Sequence, residues 1–288
     1  MDPTDRSVAA HVLSSDAVAF PTVVDIEAAI GFVVARGDQV DRARLSWLRS
    51  ELPPPPEAIA KVEMGRSPGG GWPAFWSSDV PSIDATCFRL AELDDLGALD
   101  RPAARAALAW LAGGQRPDGT WQEDEALADT APTWATPGDP EAGVYLTANV
   151  GFWLAVAGQQ VDEQANPYAE VVARATHAFR AAMRPDGTWP SYLVAGWLAA
   201  GMLFHTGWYY EAAQIQVVLA QRMPDMSAAD VAGLSAVLRR AGVPGDSPVL
   251  VAARRRLGET QRSDGGWPSD DGDAFDVHTT LAAIRGMR

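Results

Sequence analysis

The chain has 288 residues, of which 47% are hydrophobic, so it can bury a sizeable core. Its formal net charge of −14 argues against nucleic acid and against an electrostatic grip on anionic lipid. A single cysteine, Cys87, excludes an internal disulfide and any zinc site built on several cysteines.

The first 20 residues read as an N-terminal extension. They hold no basic region followed by an apolar run, and no later stretch approaches the length of a membrane span. The expected location is therefore cytoplasmic, with no integral membrane segment. From residue 21 the chain reads as helix after helix. VVDIEAAIGFVVA at 23–35 is apolar, and residues 20–60 fit one helical hairpin. A Gly- and Trp-rich turn follows, GRSPGGGWP at 65–73, and leads into the helical segment PSIDATCFRLAEL. RPAARAALAWLAGG then runs into GQRPDGTWQ at 114–122, followed by AGVYLTANVGFWLAVAG. YAEVVARATHAFRAAM runs into MRPDGTWP at 183–190, followed by PSYLVAGWLAAGMLF. A degenerate copy, QRMPDMS at 221–227, keeps Gln221, Arg222 and Asp225 without the Trp. PVLVAARRRLGET runs into TQRSDGGWP at 260–268, and AFDVHTTLAAIRG closes the chain.

The repeating unit is therefore helix, Asp-Gly turn, helix. Its length of roughly 40–50 residues gives about six hairpins. Gly permits the left-handed geometry that ends a helix, Asp accepts backbone N–H groups at the turn, and the indole supplies buried area with one N–H. Trp72, Trp121, Trp189 and Trp267 are structural by their repetition. Segments before each turn are amphipathic and carry Arg or Glu, which suits an outer ring. Those after it are apolar nearly all round, which suits an inner ring. No stretch alternates as a strand does. The expected fold is all-α, an α/α toroid over residues 21–288 as a single barrel.

QRPDGTW at 115–121 and QRSDGGW at 261–267 match the pattern Q-x-x-D-G-x-W. That pattern resembles the superfamily of squalene–hopene cyclases, plant terpene cyclases and prenyltransferase β-subunits. The segment from Trp72 to Gly97 is also similar to squalene–hopene cyclase segments in which a Gly-Trp turn leads to a P-S-x-D-x-T helix start. The likeness spans roughly residues 60–288. Full cyclases of this kind carry two barrels, and this chain has room for one.

The resemblance implies an acid-initiated reaction in which an Asp within D-x-D-D protonates an alkene or epoxide. No clean D-x-D-D is present. The nearest acidic constellation is PSDDGDAFDVHTT, with Asp270, Asp271, Asp273 and Asp276 followed by His278. Asp276 is the expected acid, because neighbouring carboxylates raise one pKa, with His278 as its orienter. Asp84, at a comparable helix start, is the second polar group. The same acids also suit plain helix capping. Phe75, Trp76, Tyr145, Trp153, Tyr192, Trp197 and His205 are expected to line a central apolar cavity, where aromatic faces stabilise carbocations. Ordinary core packing explains the same aromatics.

The function expected from these residues is cyclisation or isomerisation of a hydrophobic, isoprenoid-type small molecule, without a cofactor. One alternative is a non-catalytic lipid-binding or scaffold protein that uses the same cavity. A second comes from the resemblance to zinc prenyltransferase β-subunits, in which Asp84, Cys87 and His278 would hold zinc. Their spacing is D-x-C, whereas here it is D-x-x-C. A diphosphate site would want several basic groups, and the inner segments are expected to carry none. There is no phosphate loop and no D-D-x-x-D, since Asp94 and Asp95 end a helix. Nothing in the sequence points to an oligomeric state.

Overall fold

The computed structural model describes residues 23–77, 79–159 and 166–288; the N-terminal extension at 1–20 lies outside them. Among these described residues twelve α-helices alternate between an outer and an inner position. They are α1 (Ile26–Arg36), α2 (Gln39–Ser50), α3 (Pro56–Glu63), α4 (Ile83–Asp95), α5 (Pro102–Gly113) and α6 (Pro140–Gly158). The second half holds α7 (Ala169–Ala182), α8 (Leu193–His205), α9 (Tyr209–Arg222), α10 (Ala228–Arg240), α11 (Pro248–Thr260) and α12 (Asp276–Gly286). The inner helices pack in the order α2, α4, α6, α8, α10, α12, and α12 packs back on α2. The result is a closed ring of six hairpins, an all-α toroid. Among the described residues the strands are limited to Trp72–Pro73 and Pro81–Ser82, an antiparallel pair. No described helix is long and apolar enough to cross a membrane.

The Asp-Gly turns hold the ring together by one repeated set of bonds. The backbone N–H groups of Trp72, Trp121 and Trp267 donate to Thr86, Thr147 and Thr280, each within the first two turns or so of the next inner helix, at 3.0–3.2 Å. The indoles of Trp121 and Trp267 donate to the carbonyls of Leu111 and Leu257 near the ends of outer helices, adding a second donor to acceptors that Gly114 N and Gln261 N also reach. The turn glutamines reach sideways. Gln115 donates to Val171 O at 2.9 Å, on the next outer helix. Gln261 donates to Asp25 O and accepts from Asp25 N, both at 2.8 Å, which joins the last turn to the first helix.

Two glycines show why this residue is required. Gly119 has φ +86°, and a Cβ there would lie 2.7 Å from Arg174 O. Gly265 has φ +90°, and a Cβ there would lie 2.2 Å from Ala28 O on α1. Gly265→Ala therefore combines backbone strain with a clash at the ring closure. It should destabilise the protein by more than about 1 kcal/mol. Chemical denaturation would check this, with Gly31→Ala, whose added Cβ meets nothing within 4 Å, as the control.

The inner ring differs from the expectation at α2. Its sequence QVDRARLSWLRS is charged, yet the helix is an inner one and Arg44 is only 5% exposed. Its apolar neighbour α1 stands outside. Inner arginines therefore exist, on α2, α10 and α12, contrary to the apolar inner wall read from the sequence. They are matched by acids on α4. Arg44 Nη2 donates to Asp95 Oδ2 at 2.8 Å, Arg240 Nε donates to Asp94 Oδ2 at 2.9 Å, and Arg285 bridges Asp94 and Asp95.

Candidate active site

The N-terminal ends of the inner helices meet at one end of the ring, and a carboxyl stands there. Asp84 is the second residue of α4, after the capping Ser82, whose Oγ accepts from Ala85 N. Tyr145 from α6 donates to Asp84 Oδ1 at 2.5 Å, and the indole of Trp134 donates to Oδ2 at 3.2 Å. Asn149, one turn on, donates to the Tyr145 oxygen at 3.2 Å. Asp84 keeps part of its surface accessible although protein surrounds it on most sides. Burial pushes its carboxyl above its ordinary value, against the lowering pull of the Tyr145 and Trp134 bonds.

Aromatic rings border this carboxyl. Tyr192, just before α8, meets Tyr145 edge-on with centroids 6.5 Å apart. Phe88 lies one turn along α4 from Asp84, on the same helix face. It packs against Phe75 at 5.1 Å and against His278 at 5.3 Å, and Phe275 meets His278 at 6.1 Å. Phe75, Trp134 and Phe275 are exposed at the rim, and Arg89 lies over the Phe75 ring.

The other expected site residues are distributed differently. Asp276 is buried, and its oxygens are taken by Arg262 Nη2 at 2.7 Å and by the amide of Ser269 at 2.8 Å. The expected Asp276–His278 pairing is not formed. Residues two apart on a helix diverge by about 200°, and His278 turns to α2 instead. There its Nδ1 lies 2.8 Å from Arg44 Nη1. A guanidinium only donates, so Nδ1 carries the lone pair and the imidazole is neutral. Trp153 and Trp197 are packed inside the ring at 6% and 4% exposure. Trp76 is half-buried, and its indole N–H finds no partner among the described residues. His205, near Phe152, likewise has both ring nitrogens unpartnered among the described residues.

The zinc trio does not assemble. Among the described residues no group of three or more His, Cys, Asp or Glu side chains is placed to hold a metal ion. Asp84 is engaged by Tyr145 and Trp134, and His278 by Arg44. Cys87 is buried, and that burial pushes its thiol well up.

No family model matches the chain, and no curated protein does. Solved structures do match. A protein from Actinoplanes aligns with TM-score 0.61 and 20% identity, over 91% of this chain and 97% of that one. A variant of the type II terpene cyclase MstE from Scytonema, in complex with geranylgeranyl dihydroxybenzoate as substrate, aligns with TM-score 0.58 and 17% identity, over 91% and 95%. The chain has a type II terpene cyclase-like fold. The ent-copalyl diphosphate synthase from Streptomyces platensis shares this fold, with TM-score 0.58 and 16% identity, and this chain spans 50% of its length.

On the cyclase-like ring, one open cleft is remote from Asp84. It has a volume of about 460 Å³ and opens where inner helices end, between Trp47, Leu99, Arg239, Arg240, Arg285 and Arg288. The chemistry-bearing side chains stand at the other end. One of them was absent from the sequence reading. Glu123 follows the turn Trp121 by two residues, where the other copies have Ala74, Ser191 and Ser269. That break in the repeat was the available signal.

Two buried imidazoles of the cyclase-like ring set a pH dependence. Burial, with Arg44 beside His278 and Arg240 beside His205, holds both down to about 4. A group whose folded pKa is depressed contributes stability that is complete above the unfolded value, near 6.5, and lost as pH falls towards 4. Each is worth roughly 3 kcal/mol at most. Urea unfolding at pH 7, 5.5 and 4.5 should show this loss, and His205→Gln with His278→Gln should flatten it.

Proposed function

We propose that this chain is an acid-initiated cyclase or isomerase of a hydrophobic, isoprenoid-type substrate, with Asp84 as the proton donor. The observation that carries the reading is the Asp84 carboxyl, bonded to Tyr145 and Trp134 and bordered by aromatic rings at one end of a terpene cyclase-like ring, where burial raises its pKa. A carboxylic acid that holds its proton in such surroundings can give it to an alkene. The alkene π pair forms the new C–H bond and leaves a tertiary carbocation. The rings of Tyr145, Trp134, Tyr192 and Phe88 offer that cation electron density. A second alkene attacks it to close a ring, and loss of a proton from the final cation restores a double bond. Asp84 is then reprotonated from water. Atoms are conserved, so product and substrate are isomers.

The fold neighbour MstE was captured with a geranylgeranyl-bearing aromatic acid, which supports a polyprenyl chain as the substrate class here. Asp276, tied to Arg262 and the Ser269 amide, serves in this reading as the anchor of α12.

The test is incubation of purified protein with geranylgeranyl dihydroxybenzoate and with linear prenyl diphosphates in heavy water. A cyclised isomer carrying one deuterium at the former terminal alkene is the expected product. Unchanged substrate, retained on the protein in native mass spectrometry, would instead support a lipid-binding role.

A further inference from the structure

A carboxyl at the second position of a helix ordinarily has its charge stabilised by the unpaired N–H groups and the positive end of the dipole. That is the wrong bias for an acid that must keep its proton. At α4 another carboxyl occupies this place. Glu123 is 4% exposed and reaches across from the turn after Trp121. Its Oε1 accepts from Ser82 Oγ at 2.7 Å and from Asp84 N at 3.0 Å, and its Oε2 accepts from Ile83 N at 2.8 Å.

Building on the reading of Asp84 as the acid, we propose that Glu123 is its positioning residue. It takes the amide donors and the positive end of α4, and leaves Asp84 as the protonated member of the pair.

The assignment within the pair follows from donor chemistry. Backbone amides only donate, so a proton on Glu123 would compete with fixed donors on both of its oxygens. Asp84 meets a hydroxyl, which can turn and accept the acid's proton while Asn149 still donates to it. Burial pushes both carboxyls up, and a charge on either one opposes a charge on the other, so the pair resists double ionisation. The titratable groups facing Asp84 are Glu123, Tyr145 from α6 and Cys87 from its own helix. From α2 and α12, Arg44 and His278 face each other and Asp95 instead. On α3, Lys61 and Glu63 are held in ion pairs with Asp38 and Arg101. Among the described residues neither Asp84 nor Glu123 forms an ion pair with an arginine or lysine.

Glu123→Gln keeps the side-chain shape and one carbonyl acceptor but removes the charge. Asp84 then meets the bare end of α4, and its proton should leave about 1 to 2 pH units lower. Turnover should fall roughly 10- to 100-fold at neutral pH and recover on acidification, with KM little changed. Glu123→Asp, which keeps the charge, should restore the wild-type profile. A profile of Glu123→Gln that superimposes on wild type, or a loss equal at every pH, overturns the proposal. Infrared spectra of the protonated-carboxyl band test the pair without turnover. The band should disappear in Asp84→Asn. In Glu123→Gln it should disappear at neutral pH and return at lower pH. A band kept in Asp84→Asn and lost at every pH in Glu123→Gln would place the proton on Glu123 and overturn the assignment. If Asp84→Asn stays active while the infrared pattern holds, the acid reading fails and the pairing stands.

Discussion

Asp84→Asn should reduce turnover by about 10³-fold or more, the upper part of the range for a general acid. That corresponds to about 4 kcal/mol of lost transition-state stabilisation. The amide cannot supply the proton that starts the reaction. It preserves the shape of the side chain, and its oxygen can still accept from Tyr145. The fold should survive, with a melting temperature within a few degrees of wild type. The contrast with Asp276→Asn decides between the two carboxyls that the sequence offers. Asp276 is bonded to Arg262 and to the Ser269 amide, so its amide variant loses an ion pair to a half-buried arginine. It should lose stability and keep more than a tenth of turnover at a temperature where it is folded. Steady-state kinetics and thermal unfolding on both variants are sufficient. An inactive Asp276→Asn beside an active Asp84→Asn would move the acid to α12.

The parts of this molecule that can be read from its sequence are those whose partners are local or repeated. The Asp-Gly turn appears several times with the same residues, and each copy makes bonds within its own hairpin, as Trp121 does to Leu111 and Trp267 to Leu257. Turn chemistry therefore reveals the hairpins and their alternation. Ring closure is less legible, because Gln261 meets Asp25 across 236 positions. The charged inner helix α2 fails the apolar-inside rule for a similar reason. Arg44 is buried only because Asp95, 51 residues away, meets it. At the site, Asp84 is legible as a helix-start acid and Tyr145 as a cavity aromatic, but their contact spans 61 positions. The Asp276–His278 pair looked promising because the residues are close in sequence, and helical geometry sends them to different neighbours. Glu123 was hidden by its place in a turn, yet it is the one acid at a position where the other copies carry Ala or Ser.

Arg285→Met should cost about 3 kcal/mol of stability, the lower part of the range for breaking a buried ion pair. Arg285 bridges Asp94 and Asp95 at the C-terminal end of α4, where two carboxylates oppose the helix dipole. The side chains of both acids are 6% exposed. Arg240 and Arg44 remain as partners after the substitution, but three cations would become two around two buried anions that also stand near Glu92. The network joins α2, α4, α10 and α12, including the helices at which the ring closes. Its loss should therefore lower the cooperativity of unfolding as well as the midpoint. Arg255→Met is the matched control. Its pair with Glu259 lies on the surface at 79% side-chain exposure and should be worth less than about 0.5 kcal/mol. The pH dependence gives a second check. Burial alone would raise the Asp94 carboxyl, but Arg285 and Arg240 outweigh it and hold it below its ordinary 3.8. A depressed carboxyl contributes stability that is complete above its unfolded value and is lost as pH falls through the folded one. The gap between wild type and Arg285→Met should thus be full at neutral pH and narrow below about pH 4. A gap that stays constant into acid would mean that Arg285 stabilises the ring by packing, not by its charge on Asp94.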